Sequence, residues 1–275
     1  MYEPFYGLKE KPFGVTSNPS YLYLSQRHQE ALSCLLYGIR ERLGFIEMTG
    51  EVGTGKTTVC RALLDQLDTR TRSAFIFNSN LSELQLLQTI VDDLGIRTTS
   101  RSKGALYAEL NRFLIEQLAA GNNVVVIIDE AQNLSLKLLE QVRMLSNLEA
   151  ANEKLVQIVL VGQPELRDKL NDPRLRQLRQ RIAVRYQIKP LEREELPRYV
   201  GHRLSLAGSN GSGPIFTDAA LDSVYRYTSG IPRMINLVCD KALLTGYVMD
   251  QREIGPELVV RAISELEGLT DESRA

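Results

Sequence analysis

Gly50–Thr58 reads GEVGTGKTT, and the reading of this stretch decides the fold. It fits the spacing G-x-x-x-x-G-K-[ST], with Gly50, Gly55, Lys56 and Thr57 in the fixed places and Glu51, Val52, Gly53, Thr54 and Thr58 between and after them. The residues before it, Gly44 to Thr49, read as a short strand, and those after it, Val59 to Leu64, as a helix. Strand, loop and helix in that order are the context the pattern requires. A nucleoside triphosphate carries about four negative charges, and a loop answers them by turning consecutive backbone N–H groups inward at the positive end of a helix. Gly53 and Gly55 permit dihedrals and a close backbone approach that a Cβ would block. Lys56 is placed to reach the β- and γ-phosphates, and the Thr57 hydroxyl to ligate Mg²⁺. The plainer alternative is a glycine-rich turn with a solvated Lys56, and the flanking strand and helix weigh against it.

At 275 residues, with 43% hydrophobic and 24% charged content, the chain is long enough for one large domain or two modest ones with a sizeable core. A formal net charge of -1 gives no global footprint for nucleic acid or an anionic membrane, and leaves local patches open. Cys34, Cys60 and Cys239 are far apart, odd in number and form no C-x-x-C. Neither a disulfide framework nor a zinc site is expected, and a reducing, cytoplasmic setting is. His28 and His202 stand alone, as surface or satisfied histidines do more often than ligands. The N-terminal MYEPFYGLKEKPF lacks a basic region followed by an apolar core, and no run approaches the roughly 18 apolar residues of a membrane span.

Taken in order, residues 1 to 25 are rich in aromatics, Pro and Gly and read as an irregular arm, either a hydrophobic strap on the core or a cover for a bound adenine. Ser25 is placed as the cap of an amphipathic helix from Gln29 to Arg42. Ala74 to Phe77 is a second strand ending in the polar Asn78, Ser79 and Asn80, and Ser82 caps a helix from Glu83 to Leu94. A helix from Ala105 to Ala120 stops at Gly121. Val124 to Ile128 is a continuous β-branched run of the kind found where both faces of a sheet are covered, and it ends in Asp129 and Glu130. Carboxylates at the C-terminal tip of a buried strand stand where α/β sheets bind ligands. Asp129 is expected to hold Mg²⁺ and Glu130 to polarise the attacking water. An acidic pair that merely starts a loop is the alternative, and the phosphate loop upstream makes it the weaker one.

Asn133 to Ser146 reads as a helix and Leu155 to Val161 as a fourth strand, with Gln163 just beyond its tip, in reach of a γ-phosphate or the lytic water. From Arg167 to Arg185 the chain is strongly basic, and three readings stay open: a solvated helix face, a nucleic-acid patch, or arginines that reach a neighbouring subunit's γ-phosphate. Ala183 to Ile188 is a fifth strand. After Lys189 the pattern is all helical: Arg193 to Leu206, a loop from Gly208 to Pro214, Asp218 to Thr228 capped by Thr217, Pro232 to Met249, and Pro256 to Glu267 before an acidic tail. Strands alternating with helices imply a parallel sheet covered on both faces.

The ordered motifs GEVGTGKTT, VVVIIDEAQNL, IVLVGQPEL, LRQLRQRI and GIPRMIN together resemble an AAA+ ATPase. More narrowly they resemble the general secretion pathway protein A (ExeA) group, whose members also start with an aromatic FYGL…PF segment like that at Phe5 to Phe13. The resemblance runs over roughly residues 1 to 267. It implies an α/β P-loop NTPase fold of the AAA+/ASCE type, with a parallel sheet of strand order 5-1-4-3-2 and a C-terminal all-helical lid. It implies a nucleotide-binding domain over residues 1–190, counting the arm, and a lid over residues 191–275, with ATP between them. Lys56 and Thr57 then become Walker A residues, Asp129 and Glu130 Walker B residues, Gln163 the first sensor and Arg233 the lid's second sensor on the γ-phosphate. Arg181, directly before the fifth strand, matches the usual place of the arginine finger, with Arg179 as its rival. Asn78 matches a polar residue that holds Glu130 away from water until a partner binds. Longer members of the group continue into a membrane span and a periplasmic peptidoglycan-binding region, which the 275 residues do not include, so no cell-wall role is carried over.

The expectation is an enzyme that binds and hydrolyses ATP with Mg²⁺ at a site shared between subunits and forms an ATP-dependent homo-oligomer, ring or filament. Its expected task is the assembly of a secretion or other cell-envelope machine with a membrane-associated partner, from the cytoplasm and peripheral to the inner membrane through that partner. The alternative is a DNA-binding AAA+ regulator of transposition or replication. Lys56→Ala should weaken ATP binding ~10- to 100-fold, the loss of one hydrogen bond to a charged group. Equilibrium titration with a fluorescent ATP analogue checks this, and undiminished affinity would return Lys56 to solvent.

Overall fold

The computed structural model describes residues 1–14, 21, 23–77, 81–99, 102–150, 153–209 and 215–268. Asn78, residues 210–214 of the lid loop and the acidic tail lie outside the described residues. The chain divides into two compact units. One holds His28–Val52 and Val59–Ile188, and the other Met1–Arg27, Gly53–Thr58 and Lys189–Ala275.

The first unit is built on strands β1 (Phe45–Gly50), β2 (Thr71–Ile76), β3 (Asn123–Ile128), β4 (Gln157–Gly162) and β5 (Ile182–Ile188). Their spatial order is β2-β3-β4-β1-β5, with every neighbour parallel, which is the expected 5-1-4-3-2. Parallel neighbours cannot be joined by tight turns, so each connection carries helices back over the sheet and buries both faces. Accordingly β1 and β4 are buried at every position, and β3 from Val124 onward. The edge strand β5 instead alternates between exposed and partly buried residues.

Helices α1 (Gln26–Arg40), α2 (Lys56–Gln66), α3 (Glu83–Asp93) and α4 (Lys103–Ala119) are followed by α5 (Leu136–Leu145), α6 (Pro164–Leu170) and α7 (Arg176–Arg181). Their starts are chemically marked. Ser82 accepts the Gln85 N–H at 3.3 Å while the Gln85 side chain accepts the Ser82 N–H at 2.8 Å, a reciprocal cap that satisfies two helix-end donors. The helix expected from Asn133 divides into a 3-10 turn, Ala131–Asn133, and α5, because Ser135 caps a fresh start by accepting the Leu138 N–H. The second strand starts earlier than expected, at Thr71, and stops at Ile76. No helix among the described residues is long and apolar enough to cross a membrane.

The second unit contains α8 (Leu196–Leu206), α9 (Asp218–Thr228), α10 (Pro232–Val248) and α11 (Pro256–Leu266). Its core includes Tyr2, Tyr6, Leu8, Phe13 and Tyr21 of the arm beside Leu196, Val224, Ile235 and Cys239. The sequence grouped the arm with the α/β part, whereas its aromatic side chains fill the helical core, since Phe13 is fully buried and edge-on to Phe216. Polar ends find partners: Tyr6 donates to the Gln251 carbonyl at 2.9 Å, and Tyr2 to Asp240. Arg203, only 9% exposed, donates to the Pro12 carbonyl at 2.7 Å, and its guanidinium lies 5.0 Å from the centre of the Tyr21 ring. The arm is therefore a strap of the helical unit.

The Gly230 carbonyl accepts the Leu191 N–H at 2.9 Å, which fastens the entry of the helical region to the turn before α10. Gly230 has φ +77°, and a Cβ there would lie 2.0 Å from the Leu191 carbonyl oxygen, so only glycine fits. Phe13→Ala should destabilise the helical unit by about 3–5 kcal/mol through the cavity it leaves. Chemical denaturation followed by aromatic fluorescence is the check, and an unmoved midpoint would mean the arm lies outside that core.

Candidate active site

Strand β1 delivers Gly50 at its tip, and α2 begins at Lys56, so Lys56, Thr57 and Thr58 occupy the first helical turn, where backbone N–H groups lack intrahelical partners. Gly53 (φ +81°) and Gly55 (φ +95°) take the left-handed backbone that the loop requires. Thr54 and Lys56 are buried while Glu51 and Val52 are exposed. The Arg233 N–H, in the first turn of α10, donates to the Gly53 carbonyl at 3.2 Å. A Cβ on Gly53 would come within 2.6 Å of the Arg233 Cβ, so the loop and the GIPR turn meet with no room for a side chain. Lys56 and Arg233, named from distant motifs, thus belong to one compact unit.

The donors present fit a magnesium nucleotide. The loop presents backbone N–H groups at a helix start, suited to phosphate oxygens. The Thr57 hydroxyl and the Asp129 carboxylate are hard oxygen donors of the kind Mg²⁺ takes.

At the tip of β3 the Asp129 N–H continues the ladder by donating to the Ile76 carbonyl at 2.9 Å, and the Asp129 carboxylate, on a residue only 2% exposed, accepts the Glu130 N–H at 2.9 Å. Glu130 stands in the left-handed region at φ 52°, ψ 36°. For a residue with a side chain this costs on the order of 1–3 kcal/mol and is a mark of functional sites. The Glu130 carboxylate accepts from the Gln163 amide at 3.1 Å and from the Gln132 amide, while the Gln163 N–H donates to the Gln132 side-chain oxygen at 3.1 Å. Lys169 secures this turn by donating to the Leu134 carbonyl at 2.9 Å and to that of Gln132. Glu130 and Gln163, read from separate strand tips, are therefore in direct contact. Gln132 was missed by sequence reasoning, and its signal is an amide two residues after the acidic pair, at a spacing that a 3-10 turn folds back onto the acid.

The basic run is largely committed within its own unit. Arg181 donates to the buried Ser146 hydroxyl at 2.8 Å, and Arg174 pairs with Asp172 at 2.7 Å. Arg167 and Arg185 converge on Glu47, at 3.4 and 3.3 Å. Among the described residues the Arg179 side chain has one long contact, 3.4 Å, to the Asn171 side chain.

Residues 39–170 match the family model described as AAA domain. The chain is similar to general secretion pathway protein A of Aeromonas hydrophila, 46% identical over 273 residues, which is 99% of this chain and 50% of that one. It thus spans about half the length of that relative. Among solved structures it resembles Drosophila ORC bound to DNA (TM-score 0.70, 19% identity, 93% of this chain and 64% of that one). It also resembles the Aeropyrum pernix ORC2 protein (TM-score 0.68, 17% identity, 94% and 72%) and the Thermotoga maritima RuvB branch migration motor (TM-score 0.59, 19% identity, 90% and 71%). At these identities the structures speak for the fold alone. The phosphate loop, the acidic strand tip, the sheet order and the match over 99% of this chain agree: residues 39–170 match the AAA domain model, and the chain is similar along nearly its whole length to general secretion pathway protein A, the likeness of an AAA-type P-loop ATPase.

Proposed function

We propose that the chain binds and hydrolyses ATP with Mg²⁺ at a site completed by a neighbouring copy, and that the resulting ATP-dependent oligomer serves the assembly of a cell-envelope machine through a membrane-associated partner. The observation that carries the hydrolytic part is Glu130, a carboxylate held on a strained backbone by two amides directly after a buried aspartate. A loop that only bound nucleotide would have no use for that strain.

In this reading the N–H groups of Gly53 to Thr58 and the Lys56 ammonium bind the phosphates, and Thr57 and Asp129 hold the metal. When bound, Mg²⁺ neutralises charge on the β- and γ-phosphate oxygens. Glu130 orients the attacking water and takes its proton, and Gln163, in contact with that carboxylate, aligns the same water or a γ-phosphate oxygen. Arg233 places a cation from the lid, residues 191–275, on the γ-phosphate. Between the two candidate fingers we take Arg179 as the group offered to the neighbour's γ-phosphate, because Arg181 is spent on the buried Ser146 hydroxyl whereas Arg179 is held by one long contact. The same commitments of Arg167, Arg174 and Arg185 to carboxylates leave the run poorly suited to a phosphate backbone, which favours the envelope role over a DNA role.

An arginine supplied by a neighbour is worth roughly 10³ to 10⁵ in rate, about 4–7 kcal/mol, so isolated subunits should turn over slowly. Specific activity should climb steeply with protein concentration, in step with assembly seen by light scattering. Activity that stayed flat across the assembly range would sink the shared site. Salt-sensitive, ATP-dependent retention of duplex DNA would move the role toward the DNA-binding class. Glu130→Gln should retain ATP while losing at least ~10²-fold in turnover, read by single-turnover phosphate release. Gln132→Ala should lower turnover with ATP affinity intact, and a variant that turned over normally would remove Gln132 from the site.

A further inference from the structure

Strand β1 carries an acid where its position asks for a hydrocarbon. Phe45, Ile46 and Met48 around it are apolar and buried, yet Glu47 is 1% exposed. Burying a carboxylate costs several kcal/mol even when paired, and apolar replacements of buried ion pairs are commonly as stable or more so. Stability is therefore a poor reason for Glu47, and its partners suggest a better one. Arg167 of α6 reaches Glu47 with Nε at 3.4 Å and extends to the Gln187 side chain at 3.2 Å and the Thr49 hydroxyl at 3.5 Å. Thr49 is the residue directly before the phosphate loop, and α6 is the helix that Gln163 opens. Arg185 of β5 reaches the other Glu47 oxygen with Nε at 3.3 Å, and its Nη2 donates to the Arg179 carbonyl at 3.0 Å.

We propose that Glu47 and Arg185 are positioning residues for Arg179, a polar linkage that ties the strand feeding one subunit's phosphate loop to the arginine that subunit offers its neighbour. The proposal rests on the reading of Arg179 above. Its physical content is the two-armed grip of Arg185: Nε is fixed by a carboxylate rooted in the central strand, and Nη2 holds the backbone from which Arg179 projects. A guanidinium spans both partners at once, and an ammonium does not. Movement of β1 when the loop fills is thereby passed to the end of α7, so the state of one site biases the catalysis that its subunit supplies to the next.

The test uses subunit mixing in the full chain. Arg185→Lys keeps the charge beside Glu47 and loses the second arm, so it should fold, bind ATP with unchanged affinity and lose ~10- to 100-fold in kcat, the usual cost of misplacing a catalytic group by an ångström. Glu47→Gln should behave alike. Either variant, mixed with Glu130→Gln subunits, should recover activity, because the Glu130→Gln subunit cannot hydrolyse but still donates a well-placed arginine. Arg179→Ala mixed with Glu130→Gln is the reference for the underlying reading. If that reference pair recovers and the Arg185→Lys pair does not, the defect lies in the variant's own site and the positioning role is overturned while the shared site stands. If the reference pair also fails, the neighbour-directed role of Arg179 falls and the proposal with it. Normal kcat in Arg185→Lys overturns the linkage outright, and this variant decides the matter should Glu47→Gln not fold.

Discussion

Backbone N–H groups at a helix start have no partners within their own helix, and the loop that leads into such a start has to be held in shape. In this chain the holding is done at Gly53, whose carbonyl accepts the Arg233 N–H and whose missing side chain lets the GIPR turn come into contact. Gly230, which no other residue can replace without striking the Leu191 carbonyl, sets where that turn begins. The phosphate loop from Gly53 onward is thus braced within its own unit by the GIPR turn. That dependence explains why a motif so far away in sequence belongs to the same compact unit as the loop.

At the sheet's carboxyl end the same economy appears in side chains. A strand that is apolar and buried from Val124 to Ile128 leaves its first polar groups, Asp129 and Glu130, where the chain must turn. The turn throws Glu130 into a left-handed backbone, and the amides of Gln132 and Gln163 fix its carboxylate. Three strand tips, from β1, β3 and β4, so contribute the groups assigned to phosphate, metal and water. The crossover topology puts those tips on one end of the sheet, because parallel strands all finish in the same direction.

Much of this was legible in the residues. Short apolar or alternating runs marked all five strands, and the caps at Ser82 and Thr217 stand where they were read. Strand order came with the family resemblance and not from the patterns themselves. What escaped has physical causes. Gln132 is polar, and nothing local distinguishes it from a solvated amide until a 3-10 turn folds it onto Glu130. The short helices α6 and α7 are broken by Pro173 and lack a full apolar stripe, so the segment read as charge before it read as structure. Arg181 and Arg179 differ by half a helical turn, and only the position of Ser146, in another element, separates their environments. The aromatic arm carried only weak periodicity, since its residues follow no helix or strand and pack edge-on against one another and into the helical core.

That arm has a consequence for how the chain comes to be folded during synthesis. Tyr6 finds its acceptor at Gln251, 245 residues later, and Lys9 donates to the carbonyl of Ala207. The aromatic segment therefore leaves the ribosome long before the helices that bury it, and must wait, exposed, while the whole sheet is made. Contacts of such long sequence separation fold slowly and leave apolar surface open to aggregation or chaperones in the interval. The helical unit can close only when α8 to α11 have emerged, so a nascent chain is kept from bracing its phosphate loop until those helices have been made.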